Sequence, residues 1–240
     1  MRCILLRGAG RAFSAGGDLA GNPPRESAAD HLRFYDAADE LNARLRCSPL
    51  PVVAAVHGYC LGAALGLAAG CDIVIAAEST RLGVPEGRLG LPGGARLAPL
   101  IGRQWAKFLI FTGELLSAAQ ARDIGLVTFV LPDAGYLDGS RDLARRLARM
   151  PRDAIALNKR AVDAVADASG DAAAFAAAAG YDTVTLTMAP NAQAPDGRTF
   201  GEIRREEGVQ GLESARAGQY SRSWLAWLTA TGADGRTPED

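Results

Sequence analysis

The most informative stretch of the sequence is Val52-Val-Ala-Ala-Val-His-Gly-Tyr-Cys-Leu-Gly-Ala-Ala-Leu-Gly66. Its first five residues are all apolar and predict a strand buried on both faces. The glycine-containing turn that follows leads into an alanine-rich helix that ends near Gly70. Small residues in such a turn let the backbone approach a ligand and point N–H groups at it. The order of strand, turn and helix predicts an α/β fold with parallel pairing.

The segments on either side repeat this alternation. Residues 3 to 6 form a second apolar run, and Ile73 to Ala76 form a third. Between the first two strands, residues 27 to 46 carry apolar side chains at a spacing of three to four, which predicts an amphipathic helix. We therefore expect the three strands to share one core.

The second half of the chain is mostly helical in pattern. Residues 126 to 131 form one strand-like stretch, and Ser117-Ala-Ala-Gln120 has the spacing of a capping box. Further helices are predicted over residues 136–149, 154–165, 171–188 and 202–216. We expect a core over residues 1–135, a helical region over 136–229 and a flexible tail over 230–240.

Composition favours a small-molecule partner. The 26 basic and 27 acidic residues give a net charge of -1, so no overall field attracts nucleic acid or a membrane surface. The four cysteines lack the paired spacing of zinc sites, and the glycine turns match no nucleotide-binding loop. The first apolar run is too short for a signal peptide or a membrane span. These features predict a cytoplasmic protein without a metal or a bound cofactor.

Two other short stretches share the character of the first. They are Phe13-Ser-Ala-Gly-Gly-Asp-Leu19 and Leu82-Gly-Val-Pro-Glu-Gly-Arg-Leu-Gly-Leu91. In this order, the three stretches resemble the enoyl-CoA hydratase/isomerase (crotonase) family, and the resemblance runs in register over roughly residues 2 to 165. It implies a spiral of repeated ββα units with a helical C-terminal region. It also implies an acyl-CoA thioester as substrate and a homo-oligomer, either a trimer or a hexamer.

The resemblance assigns roles by position. Gly17 and Ala63 would supply the backbone N–H groups of an oxyanion hole, and Glu86 would be the catalytic carboxylate. The remaining positions expected at the substrate are Ala15, Asp18, Leu19, Tyr59, Leu61, Gly62, Gly66, Pro85 and Leu89. Two N–H donors would stabilise an enolate oxygen while the carboxylate moves a proton at the neighbouring carbon.

The sequence departs from the family at several points. Hydratases of the family carry a second glutamate where this chain has Gly66, so a single carboxylate favours double-bond isomerisation or a related enolate-forming step. Hydration by another route and a non-catalytic CoA-binding paralogue remain alternatives. The donor turn reads Gly62-Ala-Ala64 in place of three glycines. The loop after Glu86 is shorter than usual, and the opening strand and helix of the family fold are expected to be missing.

Other polar residues have two interpretations each. Asp18 could be a second acid, but an aspartate after a turn more often caps the next segment. Glu114 is expected to be structural. Ser14 is a poor nucleophile because neither histidine of the chain lies in a nucleophile-elbow context. Lys159 and Arg160 could reach CoA phosphates, although exposed basic residues usually form a solvated face.

Overall fold

The computed structural model describes residues 1–19, 27–219 and 223–230. The strands in these ranges are β1 (Ile4–Arg7), β2 (Val52–Val56), β3 (Tyr59–Leu61), β4 (Ile73–Ala77), β5 (Arg81–Gly83), β6 (Leu115–Ser117) and β7 (Phe129–Leu131). The first sheet has the order β1-β2-β4-β7, and all its pairs are parallel. Every residue of β2 is fully buried, as its continuous apolar run predicts.

A second sheet has the order β3-β5-β6, with β3 and β5 parallel and β5 and β6 antiparallel. The sequence does not predict this sheet, because each of its strands is three residues long and too short to show a period. The sheet is extended by a parallel bridge between Ser14 and Cys60. This bridge brings the loop after β1 against β3.

The helices are α1 (Ala28–Arg46), α2 (Ala63–Ala69), α3 (Ala98–Thr112), α4 (Ala118–Asp123), α5 (Tyr136–Leu147), α6 (Arg152–Ala168), α7 (Asp171–Met188), α8 (Phe200–Gly218) and α9 (Trp224–Ala230). Capping boxes begin α1 at Ser27, α4 at Ser117 and α8 at Thr199. The predicted helices are present, and α9 was not predicted. A kink at Gly208 divides α8. Residues 231–240 of the predicted tail lie outside the described residues.

Two hydrophobic clusters hold these layers together. The main core lies around fully buried side chains that include Leu65, Leu82, Leu109 and Leu116. The second core contains Leu89, Ala194, Phe200, Ile203 and Leu212, with Leu19, Leu91, Ala192 and Ala215 packed against it. The second core joins Leu19 and Leu89, two of the three predicted substrate-binding leucines, to α8. Across the described ranges, no helix has the length and apolar character needed to span a membrane.

Candidate active site

The loop after β1 is fixed to β3 by backbone hydrogen bonds. The N–H of Ser14 donates to the carbonyl of Tyr59 at 3.0 Å, and the N–H of Leu61 donates to the carbonyl of Ser14 at 3.1 Å. A β-carbon added at Gly16 would lie 2.9 Å from the Leu61 carbonyl oxygen and 3.8 Å from the Ala63 nitrogen. The two glycine turns predicted from the sequence therefore lie side by side.

Gly62 is the point at which β3 turns into α2. Its φ of 56° and ψ of -123° form a conformation that side chains with a β-carbon rarely adopt. A β-carbon on Gly62 would also lie 1.4 Å from Oε1 of Glu86. Only glycine leaves room for that carboxylate to lie against the start of α2.

Glu86 reaches this position from the 3₁₀ turn Pro85–Leu89 that follows β5, called the Glu86 turn below. The side chain is largely buried, and its Oε2 atom has no hydrogen-bond partner among the described residues. Burial raises the pKa of the Glu86 carboxyl above its ordinary value. The positive charge of Arg216 and the backbone N–H of Ala63 lower that pKa in part.

The pairing of a buried carboxylate with a helix-start N–H has a chemical consequence. A desolvated carboxylate is a stronger base than one in water, and the Ala63 N–H can serve as a donor to an oxygen that gains charge. In the structure this N–H acts on Glu86 itself. A substrate oxygen would take over the donor and leave the carboxylate to accept a proton.

The other predicted substrate-binding positions differ in their exposure to solvent. Ala15, Gly17 and Asp18 are exposed on the loop after β1, and the residues that follow Leu19, 20–26, lie outside the described part of the chain. Tyr59 holds that loop through its carbonyl, while its side chain is exposed. Leu61 and Pro85 are half-buried, and Leu19 and Leu89 belong to the second core.

Gly66 lies one helical turn after Gly62, and its N–H donates to the Gly62 carbonyl at 3.0 Å. It is exposed, and a β-carbon added there would meet no atom within 4 Å. The position where the family's hydratases place a second glutamate is thus open space beside the start of α2.

Helix α8 and its C-cap residue contact the loop after β1 and the Glu86 turn. Arg204 Nη2 donates to the carbonyl of Leu19 at 3.2 Å, and Gln219 Nε2 donates to the carbonyl of Arg88 in the Glu86 turn. Arg216, on the same helix, is not among the predicted site residues, yet its charge acts on Glu86. The signal in the sequence is an arginine at a spacing of four from Leu212, in register with the apolar face of the helix.

Glu114 is structural, as predicted. It is 4% exposed, its Oε1 accepts the backbone N–H of Trp224 at 2.9 Å, and its Oε2 accepts the hydroxyl of Ser223. Arg88 Nη2 lies 4.0 Å from the same carboxylate. Glu114 therefore fastens the start of α9 to the body of the protein.

The contacts of Lys159 contradict both predictions for this residue, a CoA-phosphate contact and a solvated face. Its side chain is 9% exposed, and its Nζ lies 2.9 Å from Asp72 Oδ2 and donates to the Leu45 carbonyl at 3.0 Å. The same Asp72 oxygen accepts the N–H of Val52 at 2.7 Å. The lysine forms neither a solvated face nor a ligand for phosphates, because its ammonium joins α6 to α1 and to the first sheet. Arg160 is exposed, as predicted.

Comparison with known proteins gives consistent results. The sequence profile of the family described as Enoyl-CoA hydratase/isomerase matches residues 1–189. The chain is 40% identical over 162 residues to the enoyl-CoA isomerase/hydratase fer4 of Mycosarcoma maydis. This alignment covers 65% of this chain and 58% of the relative. The chain is 37% identical over 164 residues to the 2,3-dehydroadipyl-CoA hydratase of Escherichia coli (strain K12), which covers 67% of this chain and 63% of that relative.

The chain thus spans less than two thirds of the length of these curated relatives. Among solved structures, it is similar to an enoyl-CoA hydratase/isomerase from Xanthobacter autotrophicus Py2, with a TM-score of 0.79 and 28% identity. That match covers 92% of this chain and 82% of the other. The similarity therefore includes the helical second half as well as the sheets.

Proposed function

The chain belongs to the enoyl-CoA hydratase/isomerase family, and we propose that it moves a double bond within an acyl-CoA thioester through an enolate. The predicted fold, an α/β crotonase-like spiral with a helical C-terminal region, is confirmed by its structural relatives. The observation that carries the proposal is the position of Glu86, a buried carboxylate with a raised pKa against the start of α2.

In the proposed reaction, the thioester carbonyl oxygen accepts hydrogen bonds from the N–H groups of Gly17 and Ala63. Glu86 removes a proton from the α-carbon, and the electron pair of the broken C–H bond forms the enolate. The two N–H donors stabilise the charge on oxygen, an effect for which one donor typically contributes about 10²- to 10³-fold in rate. Glu86 then returns the proton at the γ-carbon, and the double bond moves into conjugation.

Isomerisation is favoured over hydration because of Gly66. Hydration needs a water held at the β-carbon while a proton arrives at the α-carbon, and two facing carboxylates can hold that water. Gly66 offers no side chain for this purpose, and the space beside it is open. Hydratase activity stays the second candidate because one relative is named an isomerase/hydratase and another a hydratase.

The test of this proposal is Glu86→Gln in the full chain. We expect double-bond migration in 3-hexenoyl-CoA, followed by ultraviolet absorbance, and α-proton exchange in deuterated water to fall by about 10²-fold or more. Glu213→Gln, an exposed glutamate of α8, is the matched control and should leave both rates unchanged. Since burial raises the pKa of Glu86, the rate of the unmodified protein should rise with pH, with its midpoint above the ordinary pKa of a glutamate. Undiminished α-proton exchange by Glu86→Gln would remove Glu86 from the mechanism.

We further propose a homo-oligomer, a trimer or a multiple of one, assembled through the helical region 136–229. Helices α6 and α7 support this, because both expose large apolar side chains: Leu157, Val162, Val165, Tyr181 and Val184. Light scattering at micromolar concentration distinguishes this oligomer from a monomer. The four free cysteines support a reducing compartment such as the cytoplasm.

A further inference from the structure

One face of α8 carries the contacts that bring this helix to the Glu86 turn. Leu212, Ala215, Arg216 and Gln219 follow the spacing of i, i+3, i+4 and i+7, so they lie on one side of the helix. Leu212 and Ala215 pack in the second core, and Gln219 donates to the carbonyl of Arg88. Arg216 lies between these contacts and therefore faces the Glu86 turn rather than the solvent side of α8.

Within the described residues, the guanidinium of Arg216 forms neither a close ion pair nor a hydrogen bond. The side chain is half-buried, and its charge is close enough to Glu86 to lower the pKa of that carboxyl. By contrast, Arg198 at the other end of the same helix is paired with Asp196 and Glu207. A half-buried guanidinium whose N–H groups have no acceptor can donate them to the oxygen atoms of a ligand.

The surroundings of Arg216 indicate where such a ligand would come from. The half-buried side chains of Leu19 and Leu91 pack against the second core, which contains the buried Leu89. The N–H of Leu91 donates to the Glu86 carbonyl at 3.1 Å, so this apolar surface lies near the proposed reacting carbons. An acyl chain that leaves Glu86 along this surface runs towards α8. The apolar residues would contact its methylene groups, and the cation would meet the group at its far end.

We propose that Arg216 selects acyl-CoA thioesters whose acyl chain ends in a carboxylate. This inference rests on the proposed function, since it takes the reacting carbons to lie at Glu86. A planar guanidinium binds a carboxylate through two parallel N–H···O hydrogen bonds, which gives both strength and orientation. The acyl groups preferred by the protein are therefore those of dicarboxylic acids rather than those of simple fatty acids.

The experiment compares two saturated thioesters of equal length, adipyl-CoA and hexanoyl-CoA, which differ only in the terminal carboxylate. Binding is measured by isothermal titration calorimetry, so that it does not depend on turnover. We expect the full chain to bind adipyl-CoA at least about tenfold more tightly, a difference of about 1.4 kcal/mol. Arg216→Gln should abolish this preference and leave the affinity for hexanoyl-CoA within about twofold.

Two further variants serve as controls for Arg216→Gln. Arg205→Gln removes the same charge from an exposed position of α8 and should keep the full preference for adipyl-CoA. Arg216→Lys keeps the charge without the two-pronged geometry and should restore part of the preference. Because lysine retains an aliphatic stem of similar length, this variant also reports on the site should the glutamine variant fold poorly.

The remaining outcomes separate this inference from the proposed function. If both thioesters bind equally and Arg216→Gln changes neither affinity, the selection of dicarboxylic acyl groups is wrong while the acyl-CoA activity stands. If Arg216→Gln weakens both thioesters equally, and has no effect on the corresponding pantetheine thioesters, the arginine binds CoA phosphates and the inference is also overturned. If neither thioester binds to the full chain, the proposed function itself fails.

Discussion

Two buried glutamates, Glu86 and Glu114, lie in neighbouring parts of the same fold and have opposite surroundings. Both carboxylate oxygens of Glu114 accept hydrogen bonds from the start of α9. Oε2 of Glu86 accepts none from the described residues, and burial raises the pKa of its carboxyl. A carboxylate whose two oxygens both accept hydrogen bonds is held in place and forms part of the scaffold.

The different surroundings of Glu86 and Glu114 suit them to different roles in the same fold. Burial without sufficient donors raises the pKa of a carboxyl, so the carboxylate is a stronger base than one in water. The turn of sequence around Glu86 offers few side-chain donors, because Val84, Pro85 and Leu89 surround it. Within the described residues, Oε2 of Glu86 therefore lacks a hydrogen-bond donor, whereas Glu114 holds the start of α9 in place.

We expect Gly62→Ala to have the largest effect on the position and activity of Glu86. The added β-carbon would overlap Oε1 of Glu86 at 1.4 Å and would hold alanine at a φ of 56°. We expect the carboxylate to be displaced, with a loss of about 10²-fold or more in the rate of double-bond migration. Backbone strain should also cost about 1 to 3 kcal/mol in the free energy of unfolding, so rates are compared per folded molecule.

The matched control for this variant is Gly66→Ala, one turn later in the same helix. Its β-carbon meets no atom within 4 Å, and helix propensity favours alanine over glycine by about 1 kcal/mol. Its activity should be unchanged and its stability equal or greater. Equal activity in Gly62→Ala and Gly66→Ala would show that Glu86 does not act from its position against Gly62.

Glu114→Ala tests the structural half of the comparison. Its removal leaves the N–H of Trp224 and the hydroxyl of Ser223 without their acceptor, and Arg88 without its nearby charge. We expect a loss of about 2 to 3 kcal/mol in the free energy of unfolding, measured with urea. Glu78→Ala, at an exposed glutamate, should change stability by less than about 0.5 kcal/mol.

Activity per folded molecule should change far less in Glu114→Ala than in Gly62→Ala. A variant at Glu114 that remains fully stable yet loses turnover would reverse the assignment of the two carboxylates. Such a result would place the chemistry at the end of α3 rather than at the start of α2.

The sequence predicts the first sheet well for a physical reason. Its strands are continuous apolar runs, and burial on both faces leaves a clear signal along the chain. The helices α1 and α7 likewise show their ends through capping residues and glycines, such as Ser27 and Gly170. Elements whose stability is encoded locally can be predicted from one chain.

The second sheet and α9 could not be predicted because their stability comes from distant contacts. The strands β3, β5 and β6 are three residues each, and α9 depends on Glu114, which lies 110 positions before Trp224. The resemblance to the family placed Glu86, Gly62 and Ala63 at the site by position. The role proposed for Arg216 depends on how α8 folds back over the Glu86 turn, which no local pattern specifies.

Gly66→Glu extends the comparison by adding a second carboxylate near Glu86, whose Oε2 lacks a hydrogen-bond donor among the described residues. The substitution has room, since Gly66 is exposed and no atom lies within 4 Å of a β-carbon placed there. Helix propensity also favours glutamate over glycine, so α2 should tolerate the change. A new anion near Glu86 would raise the pKa of that carboxyl further, because like charges oppose ionisation. Together the two groups could hold a water at the β-carbon, and we expect hydration of crotonyl-CoA to rise a few-fold above that of the unmodified protein. Gly66→Gln, which adds similar bulk without the charge, is the control and should show no such gain. Efficient hydration by the unmodified protein would show that Gly66 does not limit the reaction, and the preference for isomerisation would then be wrong.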